Sequence, residues 1–257
     1  MVPSVTGKWK DMEMLNTPWE GKTVLVTGGS RGLGEAICRR FAREKCRVIV
    51  NCAHNAAAAE KLASEIGAVA YSCDISCEKD VRKMFEAVGP VDILVNNARI
   101  DPYKRGADVT DGEWWDQVMQ VNLKGAYLCA KFAFEDMKKK NWGRMIHISS
   151  LWAYQPANER MLSYAAAKSA MHALSRGYAN LGAEFGITSN VLAPGLILTD
   201  LIMTRLTPEQ LEKEMAGIPL GRGASTGEVA EAVFKIADTP FLTGEIINLN
   251  GGAFMRA

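Results

Sequence analysis

The chain has 257 residues, and its 30 Lys and Arg against 29 Asp and Glu leave a formal charge of +1, without the basic excess that general nucleic-acid or membrane-surface binding needs. No apolar run approaches the roughly 20 residues of a membrane span, and residues 1–19 carry Lys8, Lys10, Asp11 and Glu13 with no apolar stretch, so no secretory signal is expected. Six cysteines, with neither C-x-x-C pairs nor His partners at zinc spacing, predict free thiols in a reducing cytoplasm and no metal.

After an N-terminal extension taken as 1–19, the chain alternates. A short apolar run at 23–27 precedes helical periodicity at 35–44, and runs at 47–51 and 69–73 bracket a helix at 57–66. A helix at 80–88 leads to a strand at 92–96 and then to a long helical pattern over 113–139. Further strands follow at 144–149, 188–193 and 246–249, with helices at 164–185 and 228–237 between them. Strands alternating with helices read as βαβ units. The strands are nearly continuous in apolar residues, as expected where both faces are covered. No Pro/Gly/Ser-rich linker divides the chain. The expectation is a single α/β domain over 20–257, a doubly wound parallel sheet with helices on both faces.

The first strand ends in Thr27-Gly28-Gly29-Ser30-Arg31-Gly32-Leu33-Gly34, and a helix begins there. Glycines at such a turn let the backbone approach a pyrophosphate, and the helix N terminus supplies N–H donors. Further on, Tyr164 and Lys168 stand at i and i+4, on one face of a helix. An ammonium beside a phenol favours the phenolate and lowers the tyrosine pKa toward a useful range. Upstream, Ser149 and Ser150 close a strand where a hydroxyl could meet that tyrosine.

In chain order, the glycine turn at 27–34, Asn96-Asn97-Ala98, Asn122, Ser150, Tyr164-x-x-x-Lys168 and Pro194-Gly195 resemble the short-chain dehydrogenase/reductase family. Gly221-Arg222, and Leu242-Thr243-Gly244-Glu245 leading to Asn250-Gly251-Gly252, extend the resemblance from about residue 20 to the end. The look is nearest to 3-oxoacyl-(acyl-carrier-protein) reductases and the related polyol, sugar and ketone reductases. The resemblance implies a Rossmann-type fold and hydride transfer between a nicotinamide and a ketone or secondary alcohol. Tyr164 would be the acid/base group, and Lys168 would tune it and hold the nicotinamide ribose. Ser150 would hydrogen-bond the substrate oxygen, and Asn122 would hold a water joining Lys168 to solvent. Ser150 stands 14 positions before Tyr164, one more than in many relatives; strand alternation and the family's pattern both favour Ser150 over Ser149. Cofactor contacts are implied at Gly28, Ser30, Arg31, Gly32, Leu33, Gly34, Asn51, Cys52, Asp74, Ile75, Asn97, Ala98, Tyr164, Lys168, Pro194, Gly195, Ile197 and Thr199.

NADP(H) is expected in preference to NAD(H). In NAD-dependent relatives an acidic residue at the end of the second strand repels a 2′-phosphate. Its usual place, 18 positions after Gly34, is Cys52 here, and Arg31 resembles the basic residue that NADP-dependent members place in the glycine turn. A second departure is Asn96-Asn97-Ala98-Arg99, where the family commonly ends in Gly. In a left-handed backbone a side chain there would cost roughly 1–2 kcal/mol. Arg99 reads either as a solvated variant or, with Lys104 and Arg105, as a cationic rim for an anionic substrate.

Trp114, Trp115 and Met119 read as core or interface residues, and Lys138-Lys139-Lys140 as a solvated helix end suited to the dipole. His147 and His172 lack the partners of a base or a ligand, and Gly182 suggests close packing within the second long helix. Phe185 stands where carrier-protein enzymes often have a basic residue, which favours a small-molecule carbonyl reductase or alcohol dehydrogenase over an acyl-carrier enzyme. A catalytically silent dinucleotide-binding regulator is the contrasting class, disfavoured by intact Asn122, Ser150, Tyr164 and Lys168. A homotetramer or homodimer is expected on the helices at 113–139 and 164–185, with Ala126, Ala130, Ala133, Ala173 and Ala179 allowing close approach.

Overall fold

The computed structural model describes residues 18–255; of the expected extension, 1–17 lie outside it. Seven parallel strands form one sheet: β1 (Thr23–Val26), β2 (Arg47–Cys52), β3 (Val69–Ser72), β4 (Ile93–Asn96), β5 (Gly143–Ile148), β6 (Ile187–Pro194) and, last in the chain, β9 (Ile246–Leu249). Their order is β3-β2-β1-β4-β5-β6-β9, so the winding reverses between β1 and β4. Alternate side chains serve opposite faces. Val24, Val26, Val48 and Val50 pack in one core cluster while Leu25 and Ile49 pack in the other.

The first face is covered by α1 (Gly32–Ala42), α2 (Ala56–Ile66) and, late in the chain, α9 (Thr226–Ala237), through residues such as Ile37, Phe41, Leu62, Val233 and Phe234. The second is covered by α3 (Glu78–Val88), α5 (Ala126–Lys140) and α6 (Leu162–Gly182), through Met84, Phe85, Ala133, Met137 and Tyr178. Trp19, assigned above to the extension, packs against Phe41 and Phe234 with ring centroids 6.3 and 5.1 Å away, and its Nε1 donates to Asp238 Oδ1 at 3.2 Å.

Two segments differ from expectation. The helix expected over 113–139 is α4 (Asp111–Met119), a wide π-type turn over Gln120–Gly125, and then α5. The turn is fixed from outside the helix: Asn122 Oδ1 accepts the Ile100 N–H at 2.7 Å. Gly125 lies so close to Ile75 that a Cβ would meet its Cγ1 at 2.7 Å. The stretch at 196–217, where the sequence pattern assigns no element, contains β7 (Ile197–Leu198), α7 (Asp200–Arg205) and α8 (Pro208–Ala216), with β7 paired to β8 (Ala224–Ser225). Thr207-Pro208-Glu209-Gln210 is a capping box with Pro in the first helical turn, a start signal for α8 that periodicity alone passes over.

The alanine stripe is also corrected. Ala126, Ala130, Ala133 and Ala179 are buried within the chain itself, because α5 and α6 press their small residues onto the sheet and each other. Of the five, only Ala173 is exposed. The outer faces of α4, α5 and α6 present Trp115, Tyr127 and Leu181 instead. Gly182 has the expected close approach, not to a helix but to Ile187 at the start of β6, whose Cβ would lie 2.9 Å from an added Cβ.

A buried polar chain runs through the sheet beneath the site. Asn96 Nδ2 donates to Ala126 O and to His147 Nδ1, and His147 Nε2 meets Ser189 Oγ, which bonds Ser175 Oγ. Burial, and then the charge of Lys168, pull the His147 pKa down to about 4. A second proton would leave two donors facing each other at Nδ1. Because the folded value lies below the unfolded value of about 6.5, the unfolded chain takes the proton first. The stability contribution is therefore present above pH 6.5 and lost as pH falls toward 4. Urea unfolding of wild type and His147→Gln should show a stability difference that changes by about 3 kcal/mol between pH 7 and pH 4. A difference independent of pH would show that His147 is not held neutral.

Candidate active site

The glycine turn and the turn after β4 interlock at the point where the sheet reverses. Thr27 Oγ1 accepts from the N–H groups of Asn97 and Ala98, each at 3.0 Å, while Asn97 Nδ2 donates to the carbonyls of Thr27 and Gly28. Gly28 has φ +62° and lies against Ala98 Cα, and a Cβ on Gly34 would overlap the Gly28 carbonyl oxygen. The cleft is therefore lined by backbone. No side chain caps the N terminus of α1, as is true also of α3 and α6, whereas α2, α4, α8 and α9 are capped by side chains. Uncapped N–H groups with a dipole end and no side chain in the way suit a pyrophosphate. The residues present thus fit a dinucleotide.

The expected contact residues divide into those that line this cleft and those that build it. Ser30, Gly32, Leu33 and Gly34 form the turn and first helical residues, with Arg31 exposed at the N-cap. A Cβ on Gly32 would lie 3.8 Å from Cγ2 of Thr199, the N-cap of α7. Gly195, after Pro194, lies against Asn250, and half-buried Ile197 follows in β7. Asp74 is exposed beside the cleft, and its Oδ1 accepts the Ser76 N–H.

Other side chains are engaged inward. Asn51 Oδ1 accepts the Gly28 N–H and its Nδ2 donates to the carbonyls of Tyr71 and Cys73, so with Asn97 it braces the cradle. Cys52 is buried with its Sγ 3.5 Å from Ser72 Oγ, and Ile75 is buried against Gly125.

On the far side, Tyr164 and Lys168 on α6 stand with Ser150 at the end of β5 and Asn122 in the π-type turn. The Ser150 hydroxyl lies near enough to Tyr164 to favour its phenolate, and its Oγ accepts the Trp152 N–H at 3.2 Å. Ser149 points the other way, bonding His172 Nε2 at 2.8 Å and Lys168 O at 3.2 Å. Lys168 is almost fully buried, with Nζ donating to Ile148 O at 2.6 Å and lying 5.7 Å from the Tyr164 ring centroid. Burial, then the charge of Arg99, bring its pKa down to about 7. Burial pushes the Tyr164 phenol up, opposed by the Arg99 guanidinium and then by Ser150. The acidifying charge expected from Lys168 thus comes first from Arg99. Asn122 Nδ2 is buried without a hydrogen-bond partner among the described residues, a donor available beside this group.

The rim departs most from expectation. Arg99 has no left-handed backbone and no strain of that kind. Arg105 is bound to Val109 O and Asp111 and turns away from the site. Sequence reasoning missed Asp101, Tyr103, Trp152 and Arg205. Tyr103, Trp152 and Tyr164 form a row with successive centroids 6.4 and 6.3 Å apart. Arg205 reaches the site from 104 positions downstream, and no local pattern announces it. Among the described residues no group of three or more His, Cys, Asp or Glu could hold a metal, and none of the described helices is long and apolar enough to cross a membrane.

Residues 22–210 match the family described as short chain dehydrogenase. The chain is 36% identical over 246 residues to the 3-oxoacyl-(acyl-carrier-protein) reductase of Escherichia coli, covering 92% of this chain and 99% of that one. It is 33% identical over 247 residues to the acetoacetyl-CoA reductase of Allochromatium vinosum, covering 91% and 99%. It is 35% identical over 258 residues to an NADPH-dependent aldehyde reductase-like chloroplast protein of Arabidopsis thaliana, covering 91% and 95%. A solved short chain dehydrogenase/reductase family protein superposes with a TM-score of 0.82 at 30% identity, covering 91% and 97%.

The cradle generates a direct test. Gly34→Ala forces a methyl into the Gly28 carbonyl and should lower stability by about 1–3 kcal/mol while weakening nucleotide binding in a fluorescence titration. Gly177→Ala, inside α6 where nothing lies within 4 Å of an added Cβ, should raise stability by about 0.5–1 kcal/mol and leave nucleotide binding unchanged. Wild-type nucleotide affinity in Gly34→Ala would show that the cleft is not the binding site.

Proposed function

The chain belongs to the short-chain dehydrogenase family and is an NAD(P)-dependent oxidoreductase; from that premise we propose that it is an NADP(H)-dependent carbonyl reductase with Tyr164 as its acid and base. The observation that carries the reading is the meeting of Tyr164, Ser150 and Lys168 beside a cleft ending at the uncapped N terminus of α1. When bound, the dinucleotide supplies the hydride in reduction and accepts it in oxidation. Ser150 Oγ and the Tyr164 hydroxyl hold the substrate oxygen from the protein side. Tyr164 gives its proton to that oxygen as negative charge develops there, and takes one back in the reverse direction. Lys168, near 7 in its titration, exchanges protons close to neutrality and holds the nicotinamide ribose. Asn122 holds a water through its unpartnered amide and links Lys168 to solvent.

The substrate we infer is a small ketone or secondary alcohol bearing an anionic group. A carrier protein fits less well. Lys138, Lys139 and Lys140, the basic run available for it, are paired with Glu135, Asp136 and Asp92 at 2.9, 3.3 and 2.6 Å. A homotetramer or homodimer through the outer faces bearing Trp115, Tyr127 and Leu181 accompanies the proposal, as does a cytoplasmic setting, supported by six free thiols.

NADP(H) over NAD(H) rests on Arg31, exposed at the N-cap with no side-chain partner among the described residues, and on the thiol of Cys52 where a carboxylate would repel phosphate. A guanidinium can bind a 2′-phosphate through two charged hydrogen bonds.

Tyr164→Phe should lower kcat for ketone reduction by about 10²–10⁴-fold and leave the NADPH Kd nearly unchanged. Near wild-type kcat in this variant would overturn the mechanism. Arg31→Ala should lose about 1.5–3 kcal/mol of NADPH affinity with little change for NADH. Wild-type kcat/KM favouring NADH would overturn the cofactor assignment alone.

A further inference from the structure

Three charged side chains converge at the mouth of the site. Asp101, only 7% exposed, sits two residues beyond Arg99 in the loop after β4. Its carboxylate accepts the Tyr103 N–H at 3.0 Å and Arg205 Nη1 at 3.0 and 3.2 Å on its two oxygens. Arg99 Nη1 lies 3.4 Å from the second oxygen. Burial alone would raise the Asp101 pKa, but the Tyr103 N–H and the two guanidiniums outweigh it and hold the carboxyl below its usual range. Asp101 is therefore a fixed anion at neutral pH, and two cations against one anion leave a surplus positive charge.

That surplus falls on Arg99. Arg205 is well occupied, bonded to both Asp101 oxygens and lying 4.3 Å over the Tyr103 ring. Arg99 makes one longer contact, its side chain is 36% exposed, and it has no other hydrogen bond or ion pair among the described residues. Its backbone is fixed on both sides: Ala98 rests against Gly28 in the cofactor cradle, and the Ile100 N–H is held by Asn122. Ile100 itself packs into the cluster of Trp114, Val118 and Tyr164. Arg99 lies close enough to Tyr164 for its charge to favour the phenolate, beside the place of a ketone held by Tyr164 and Ser150. The row of Tyr103, Trp152 and Tyr164 lines the same region. The planar donors of the guanidinium match the two oxygens of a carboxylate. Lys104, exposed on the same loop with no ion pair among the described residues, adds charge further out.

Resting on the oxidoreductase reading above, we propose that Arg99 binds the carboxylate of a short oxo acid whose ketone faces Tyr164, with Asp101 and Arg205 as positioning residues that set the guanidinium. The substrate class is a 2-oxo or 3-oxo acid rather than its neutral ester or thioester. Arg205 joins the recognition to α7, whose N-cap Thr199 faces Gly32 across the cofactor cleft, so the same short helix touches the acid-recognition cluster and the nucleotide cradle.

The test measures binding to the dead-end complex with NADP⁺, so no turnover is required. Pyruvate with methyl pyruvate, and acetoacetate with methyl acetoacetate, are titrated by calorimetry. In wild type at least one acid should bind about tenfold or more tightly than its ester, with the gap narrowing as salt is raised. Arg99→Gln should abolish that gap by weakening the acid alone, Arg99→Lys should retain part of it, and Arg205→Gln should reduce it with Tyr164 intact. Equal affinity for acid and ester in wild type, no acid binding at millimolar concentration, or a gap that survives Arg99→Gln would each overturn the assignment. Those outcomes leave the oxidoreductase reading standing, and the acid–base role of Tyr164 is tested separately by the loss of ketone reduction in Tyr164→Phe.

Discussion

The contact on which the site depends is the interlock of two backbone turns, one after β1 and one after β4. Thr27 Oγ1 and Asn97 Nδ2 tie them together at 2.9–3.1 Å, and Gly28 and Gly34 let the strands' ends approach without side chains between them. Each of these hydrogen bonds contributes only on the order of 1 kcal/mol, so their value is geometric rather than energetic. They place the α1 N terminus on one side of Ala98 and Arg99, and thereby Tyr164, on the other. A dinucleotide crossing that junction must lay its phosphates at one turn and its reactive end at the other. Nucleotide binding and proton transfer share a single backbone hinge point.

Charge within the site follows from burial. Lys168 and Tyr164 are both deeply buried, and burial disfavours the charged form of each, moving the lysine down and the tyrosine up. Their titrations therefore move apart, so that near neutrality Tyr164 keeps its proton while Lys168 readily releases one. Arg99 acts on both in the same sense, favouring phenolate and neutral amine. His147 below them stays neutral and adds no charge of its own at neutral pH.

What the sequence makes legible is what local chemistry determines. The seven sheet strands emerge as short apolar runs because burial on both faces excludes polar residues, and α1 emerges from the glycine turn. Tyr164 and Lys168 share a face because helical spacing requires it. The unread features depend on distant partners. The π-type turn is set by Ile100 drawing on Asn122 across 22 positions, and helical periodicity runs through it unbroken. The alanines of α5 look like an interface stripe, yet small residues serve equally well for pressing a helix onto its own sheet. Arg105 and Arg99 look alike in sequence; Asp111 takes one and Asp101 the other.

The wide turn over Gln120–Gly125 has a consequence for how this chain tolerates length changes. A π-type turn accommodates about one residue more than an α-turn, and a single residue in an α-helix corresponds to about 100° of rotation. Deleting one residue within 120–125 would let the segment close into a plain α-helix with α4 and α5 still in phase, because the wide turn already absorbs that residue's rotation. Trp114 would stay packed beside Tyr164, whereas a deletion in the regular helix at 116–119 would swing it away and turn exposed Trp115 toward its place. The surplus residue is taken up locally, freeing Asn122 to hold Ile100 while the two halves of one long rod keep their neighbours, α5 the sheet and α4 the cluster around Tyr164.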